Sequence, residues 1–527
     1  MGIIIIMIRI ILVVVMGSLF TLQNVSAQFL QQLPIGDPRA MALGFAVTGD
    51  PKGIDSVHYN PAGLAKIKHD TYQIKFIAAL LESSTDFGEQ QGLSKEFLDA
   101  FDLVDPLENT HSELNSSAPV MALPGFGMVD IPAQAFPLAG LAIAPPSSNF
   151  VFATNVYSPQ AVGYSRDDDD PGRYQGRRVS LLRLTYFSPT ISTQLTDEFS
   201  MGFTLALSTQ SIGMDMDLRA PNLLLAGINA ACSLVNDQMG ANVPSCESQN
   251  RLGPFQDVGN LTLEVDQFFS PSFNVGLLWE PVPWFSLGFV YHSEAKVEME
   301  GDYKFSYSES WQGFWSELNT IDTPLLPSGV SEETGTTTLS MTFPADAQVG
   351  MKLVLVPGVT ITTDIRWTDY SSWDSFDISF DRKLDFLKVA SLVAPNETTQ
   401  TALNLPRNYQ DSFAYGIGIQ YEWSDRLEFR IGYEFREPMA EEDKQDLIIP
   451  VGPAQYIGAG FGYKLDYESR IDVAVAYLHA SVDVGAGESS NANATGIDNL
   501  IYNPYAGLPF TNEVNVTFFN VAYESYF

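Results

Sequence analysis

The sequence predicts an all-β protein, a 14-stranded antiparallel transmembrane β-barrel with an amino-terminal plug in its lumen. Three observations predict it. Apolar and polar residues alternate with period two through much of the chain, short turns alternate with long polar connections, and an apolar leader opens the sequence.

The alternation is clearest late in the chain. Leu427, Phe429, Ile431, Tyr433 and Phe435 share one face of a strand, and Glu428, Arg430, Gly432, Glu434 and Arg436 share the other. Residues 413–423 and 359–367 repeat the pattern, and period two is the signature of a strand with two unlike faces. A soluble sandwich also alternates, so the connections decide. Short turns are expected near 130–133, 196–198, 280–283, 356–358, 424–425 and 466–468. Long polar connections are expected near 82–117, 146–176, 218–260, 305–333, 382–407, 437–449 and 485–511. Short periplasmic turns and long outer loops distinguish outer-membrane barrels. Six of one and seven of the other give fourteen strands with both ends on one side.

Residues 2–20 are almost unbroken Ile, Val, Leu and Met around Arg9, and Val25-Ser26-Ala27 forms a small-residue cleavage pattern. Residues 1–27 therefore read as a secretory signal peptide. Beyond Ala27 no apolar run reaches the roughly 20 residues a spanning helix needs. Residues 28–69 form no clear strand, yet carry Met41, Leu43, Phe45, Val47, Ile54, Val57 and Leu64. Such apolar content argues against a disordered tail, and the expected place for the segment is inside a barrel made by residues 70–527.

Lys and Arg number 28 against 63 Asp and Glu, a net charge of -35. This excludes nucleic acid as a partner and suits solvated outer loops facing outer-membrane lipid and lipopolysaccharide. Tyr421, Trp423, Tyr463, Tyr477, Trp279, Trp284 and Tyr291 sit near strand ends, where interfacial girdles form. Cys232 and Cys246 share one polar loop and are expected to pair as a disulfide in an oxidising compartment. No supporting His accompanies them, and neither a metal nor a cofactor is expected. The acidic run 167–170 reads either as a calcium site or as a solvated loop. The five His accompany no nucleophile motif, so no enzyme is expected.

The stretch His58-Tyr59-Asn60-Pro61-Ala62-Gly63-Leu64, preceded by residues 39–46, lies just after the leader and just before the first strand. There it resembles the amino-terminal hatch of the FadL family (OMPP1/FadL/TodX-like) of outer-membrane long-chain fatty-acid and hydrocarbon transporters. Stretches within 188–207, 276–303, 367–376 and 430–463 look similar to the same family.

The resemblance implies a hatch gated around Asn60, Pro61, Ala62 and Gly63. It implies capture of a hydrophobic small molecule in an outer groove that includes Leu223 and Leu224, then transfer to an inner pocket. Exit would follow sideways through a gap made by a kinked third strand. Read as residues 136–144, that strand runs into Pro145, Pro146, Ser147 and Ser148; the alternative is an ordinary strand end. Phe45 and Val47 of the hatch are expected to touch ligand. Arg219 matches one basic residue of the family's pocket, but the second falls near Asp377, an acid, which puts a carboxylate ligand in doubt. By strand parity Arg366 and Arg430 face the lumen, either to replace it or to pair with acids such as Asp364 and Glu434. The chain's end, Val521, Tyr523, Ser525 and Phe527, resembles the signal read by barrel-assembly machinery. The protein is thus expected to be a monomeric transporter in the outer membrane of a Gram-negative-type bacterium. A structural or adhesive barrel and a lipid hydrolase are the other readings.

Overall fold

A computed structural model describes residues 27–28, 36–100, 102–115, 119–131, 134–146, 148–219, 240, 252–319, 324, 326–449, 451–496 and 503–527. Residues 1–26 of the leader, Ser147, Leu223, Leu224, Cys232 and Cys246 lie outside the described residues.

Fourteen antiparallel strands form the wall. They are β1 (Thr71–Phe87), β2 (His111–Glu113 with Gln134–Ile143), β3 (Phe150–Asn155 with Tyr157–Ser165) and β4 (Arg178–Phe187 with Thr190–Gln194). Next come β5 (Phe199–Arg219), β6 (Asp257–Val282), β7 (Phe285–His292 with Ala295–Tyr307) and β8 (Glu332–Phe343 with Asp346–Val356). The ring continues through β9 (Val359–Thr368 with Ser375–Phe380), β10 (Ala402–Pro406 with Ser412–Glu422) and β11 (Leu427–Arg436). It ends with β12 (Ala454–Lys464), β13 (Ser469–Val484) and β14 (Phe510–Tyr526). Neighbours in sequence pair, and β1 closes the ring on β14, from Thr71↔Tyr526 to Phe87↔Phe510. Closure leaves few unpaired backbone groups to lipid.

The faces settle what the barrel stands in. On β11, Phe429 and Ile431 are 45% and 54% exposed, whereas Arg430 and Glu434 are each 3% exposed. Greasy side chains point out and charged ones in, which water would penalise and a bilayer rewards. No helix of the described residues is long and apolar enough to cross a membrane.

The strand count agrees with the expectation, but the first turn does not. Residues 119–131 hold no periplasmic turn. Val120–Leu123 and Gly127–Asp130 pair with each other as a hairpin that leaves β2 and lies on the outer face of β3–β6. There Ala122 N donates to Ser180 Oγ (2.8 Å), Ser211 Oγ donates to Ala122 O (2.7 Å) and Met128 N donates to Glu264 Oε1 (2.9 Å). The true turn is 144–149, so residues 136–144 belong to the second strand. The third lies inside what reads as a loop, because Pro159 and Gly163 interrupt its pattern.

The interior is filled from the amino-terminal side. Helix α1 (Pro38–Ala42) is capped by Asp37, which accepts from Arg39 N at 2.7 Å. Helix α2 (Ser56–Tyr59) runs to Asn60, whose carbonyl oxygen Oδ1 caps a 3-10 turn, Pro61–Lys66. This segment meets inward-facing glycines all round the ring. A side chain at Gly202 would strike Pro61, at Gly276 Asn60, at Gly288 Thr48, at Gly432 Leu43 and at Gly458 Met41. Glycine at those rungs lets two backbones approach without a side chain between them.

Candidate functional site

Above the amino-terminal segment lies a narrow apolar cavity enclosing about 70 Å³. Strand parity builds it. Val162 and Tyr164 come from β3, Val179 and Leu181 from β4, Ile212 and Met214 from β5 and Leu263 from β6. Leu339, Met341, Phe376, Ile378 and Leu405 face them from β8–β10, and Ile448 and Ile449 close the top from a loop. The Tyr164 hydroxyl donates to the Ile448 carbonyl at 3.1 Å, tying that lid to β3. One charged side chain reaches the cavity, Arg407, which is ion-paired with the buried Asp446 and stands 5.8 Å over the Phe376 ring. Burial pushes the Asp446 carboxyl up from its ordinary range, while Arg407 and backbone N–H groups pull against it.

Beside the cavity the wall is incompletely laddered. β2 and β3 share only the pairs Gly140↔Asn155 to Ile143↔Phe152. Past Val156, whose N–H donates to the Ala139 carbonyl at 2.9 Å, residues 157–165 have ladder partners on β4 and residues 134–138 on β1, until Asn115 N donates to Ser165 O (2.8 Å) at the far end of the gap. The strand is interrupted at Val156, the register with β4 shifts between Tyr157 and Gln160, and Pro159 has no N–H to offer a neighbour. A seam between two strand edges results, with the cavity residues Val162 and Tyr164 on its inner side. The amino-terminal segment grips the seam's base, where Asp55 Oδ1 accepts from Asn155 Nδ2 (2.9 Å) and is ion-paired with the fully buried Lys75. The His58 ring stacks on His292 at 4.7 Å and meets Tyr157 at a tilt, 4.8 Å away. Burial and the neighbouring His292 hold the His58 imidazole well below its ordinary range.

The residues singled out from sequence fall in several places. Asn60 is fully buried and donates from Nδ2 to the carbonyls of Thr48 and Leu277, each at 3.0 Å, tying the segment to β6. Pro61, Ala62 and Gly63 follow in the turn it caps. Phe45 packs on Tyr456 (4.8 Å) and Val47 N donates to Asp364 (3.0 Å); both are buried against the wall, away from the apolar cavity. Pro145, Pro146 and Ser148 sit in the turn that ends β2, where Ser148 N donates to Pro145 O (3.1 Å), below the seam. The sequence reading counted residues 136–144 as the third strand, whereas they pair with β1 and belong to the second.

Arg219 clasps Asp105 (2.5 Å) and the Pro504 carbonyl (3.1 Å), locking outer loops to the top of β5. Arg366 pairs with Glu434 (3.3 Å), and Arg430 pairs with Asp472 (2.6 Å) and Glu428. Asp377 points outward, accepting from Asn404 Nδ2 (2.8 Å), so it does not stand in the cavity and does not count against a carboxylate there. In the acidic run, Asp168 pairs with Arg177 and Asp170 accepts from Ser112 Oγ. Sequence reasoning missed Arg407 and the Pro159 break; a proline inside a weakly alternating run was the available signal.

A closed fourteen-strand wall with a lipid-facing exterior, a filled lumen and an apolar cavity beside a seam defines an outer-membrane β-barrel built to hold something apolar. The chain belongs to the family described as outer membrane protein transport protein (OMPP1/FadL/TodX), whose model matches residues 18–527. That places it in the outer membrane of a Gram-negative-type bacterium.

Among curated proteins it is similar to the long-chain fatty acid transport protein of Escherichia coli O6:H1. The two are 23% identical over 206 residues, covering 39% of this chain and 41% of that one. The Salmonella typhi protein of the same description is 22% identical over 215 residues, 41% of this chain and 44% of that one. The matches thus span less than half the length of these relatives. Among solved structures, a Pseudomonas aeruginosa FadL homologue superimposes with a TM-score of 0.67 at 16% identity, covering 95% of this chain and 100% of that one. The toluene transporter TodX of P. putida gives 0.57 at 15% identity, covering 95% and 99%. These likenesses establish the fold.

Proposed function

We propose that this protein is a non-catalytic, passive conduit that takes long-chain fatty acids or hydrocarbons through the outer membrane. The observation that carries the reading is the placement of the apolar cavity directly behind the seam between β2 and β3. A hydrophobic molecule entering from the outer loops meets the cavity, then the seam, then lipid. Sideways release avoids exposing it to the periplasm, at about 0.8 kcal/mol for each methylene. The relatives' descriptions, fatty-acid transport for one group and toluene transport for another, support the same class of cargo.

In this reading residues 36–67 are the hatch, Asn60–Gly63 its anchored centre, and residues 157–159 rather than 145–148 the edge of the lateral opening. The closed cavity is smaller than the roughly 300–1,000 Å³ of drug-sized ligand sites, so cargo enters by displacing the Ile448–Ile449 lid. The protein works as a monomer among outer-membrane lipid and lipopolysaccharide, assembled by the barrel machinery.

The test is uptake of labelled palmitate and of toluene by cells carrying Ile212→Trp, which fills the cavity from β5. Uptake of both is expected to fall about tenfold or more, a change of about 1.4 kcal/mol or more, with the barrel's heat-modifiable gel mobility unchanged. Wild-type uptake in the folded variant would contradict the route.

A further inference from the structure

Helix α2 ends against the wall. The last carbonyls of a helix have no partner within it, and here they take donors from three strands. Val57 O accepts from Thr204 Oγ1 of β5 (3.0 Å) and from Asn274 Nδ2 of β6 (3.3 Å), and His58 O accepts from His292 Nε2 of β7 (2.8 Å). A hydroxyl and an amide donate whatever the pH, whereas an imidazole nitrogen donates only when it carries hydrogen. Of these three tethers, the one from His292 is the one a proton can switch.

The other side of the ring fixes its state. His292 Nδ1 lies 2.8 Å from Asp346 Oδ1, directly across the sheet on β8, and the two side chains are 11% and 2% exposed. A carbonyl oxygen can only accept, so Nε2 carries hydrogen. An ionised carboxylate can only accept too, so Nδ1 carries hydrogen as well. Imidazole is the more basic partner, with an ordinary pKa of about 6.5 against about 3.9, which places the shared proton on the ring. With one proton fewer, a single N–H faces two acceptors. The carboxylate makes the stronger bond, so the tether to His58 is the one given up.

The pair stands where the amino-terminal segment meets the seam. The His58 ring stacks on His292 and touches Tyr157, the first residue of β3 beyond the break, and three residues earlier Asp55 accepts from Asn155 Nδ2. The charged and titratable groups facing the two rings are Asp346 of β8, Tyr59 of α2, Tyr157 of β3, Arg183 of β4 and Arg366 of β9, the last paired with Glu434 of β11.

We propose that His292, protonated and clamped between Asp346 and the His58 carbonyl, is a positioning residue that latches the hatch at the foot of the seam, and that loss of its proton frees the hatch there. The latch rests on the conduit reading and adds to it control by a proton.

The experiment labels the full-length protein with 15N-histidine and follows the ring nitrogens in mild detergent from about pH 6 to about pH 10. The chain has five His, and the His292 signals are assigned by their loss in His292→Gln. At the low end both nitrogens of His292 should be in the N–H form, and one should lose its hydrogen as pH rises. Proteolytic cleavage within 36–67, measured on the same samples, should rise several-fold along the same curve. Asp346→Asn keeps a hydrogen bond to Nδ1 without the charge. In it His292 should stay a neutral ring with hydrogen on Nε2, and that rise should vanish, while a rise due to other groups such as Asp37 persists. The wild-type titration needs no variant and stands by itself if Asp346→Asn fails to fold. One protonated nitrogen at about pH 6, two at about pH 10, or cleavage that ignores the ring's titration overturns the latch and leaves the conduit standing. If the ring titrates and cleavage follows it, yet cells carrying the protein take up neither palmitate nor toluene, the conduit falls and the latch remains.

Discussion

At the scale of single residues, the lumen is organised by charges whose partners are far away in sequence. Asp37 is an example open to direct test. Its burial, reinforced by Asp55, pushes its carboxyl up to about 7, while Arg39 and Lys75 act the other way. A carboxyl raised from 3.8 in the folded state contributes stability that is full below about pH 4 and lost as pH rises through 7. The amino-terminal segment should therefore be seated more firmly at pH 5 than at pH 8. In Asp37→Asn that part of the pH dependence should vanish, as measured by the rate of proteolytic cleavage within 36–67. An identical pH profile in the variant would show that another group is responsible.

Arginines illustrate what sequence made visible. Parity along β9 and β11 correctly turned Arg366 and Arg430 inward, because a strand's faces are written in its own residues. It did not single out His292, because a ring held between a carboxylate and a carbonyl is recognised only once α2 is seated beside the register of β7 and β8. Arg407 and Asp446 meet through a loop, for which no period exists.

At the scale of elements, the strands from β5 onward were legible, since each has an apolar and a polar face and a short turn between glycine, proline or acidic residues. β2 and β3 were not. Residues 120–130 pair with each other as a hairpin on the outer surface instead of crossing the wall. Residues 157–165 of β3 are buried on both faces, which goes with the loss of alternation. The amino-terminal segment was expected in the lumen by exclusion, and the glycines it meets lie in the wall. A Cβ on Gly288 would overlap the Thr48 carbonyl, backbone that cannot swing aside. Gly288→Ala should therefore unseat the segment, raising proteolytic cleavage within 36–67 several-fold while the barrel keeps its heat-modifiable mobility. Cleavage at the wild-type rate would mean that the contact yields easily.

At the scale of the whole molecule, one arrangement accounts for the composition. A near-neutral mean hydropathy and a charge of -35 coexist because apolar residues are dispersed on the outer wall and in one chamber, and acids on loops and in luminal pairs. Among the described residues neighbouring strands pair round the ring, and between β2 and β3 the ladder is short, which leaves a strand edge beside the apolar chamber. That coincidence is the centre of the account. It is tested most directly by photo-crosslinking the full-length protein in membranes with a diazirine-bearing palmitate and mapping the adducts by mass spectrometry. Adducts on Val162 and Ile212 in the chamber and on residues 157–159 at the seam are predicted. Adducts confined to lipid-facing positions such as Phe429 and Ile431 would contradict it.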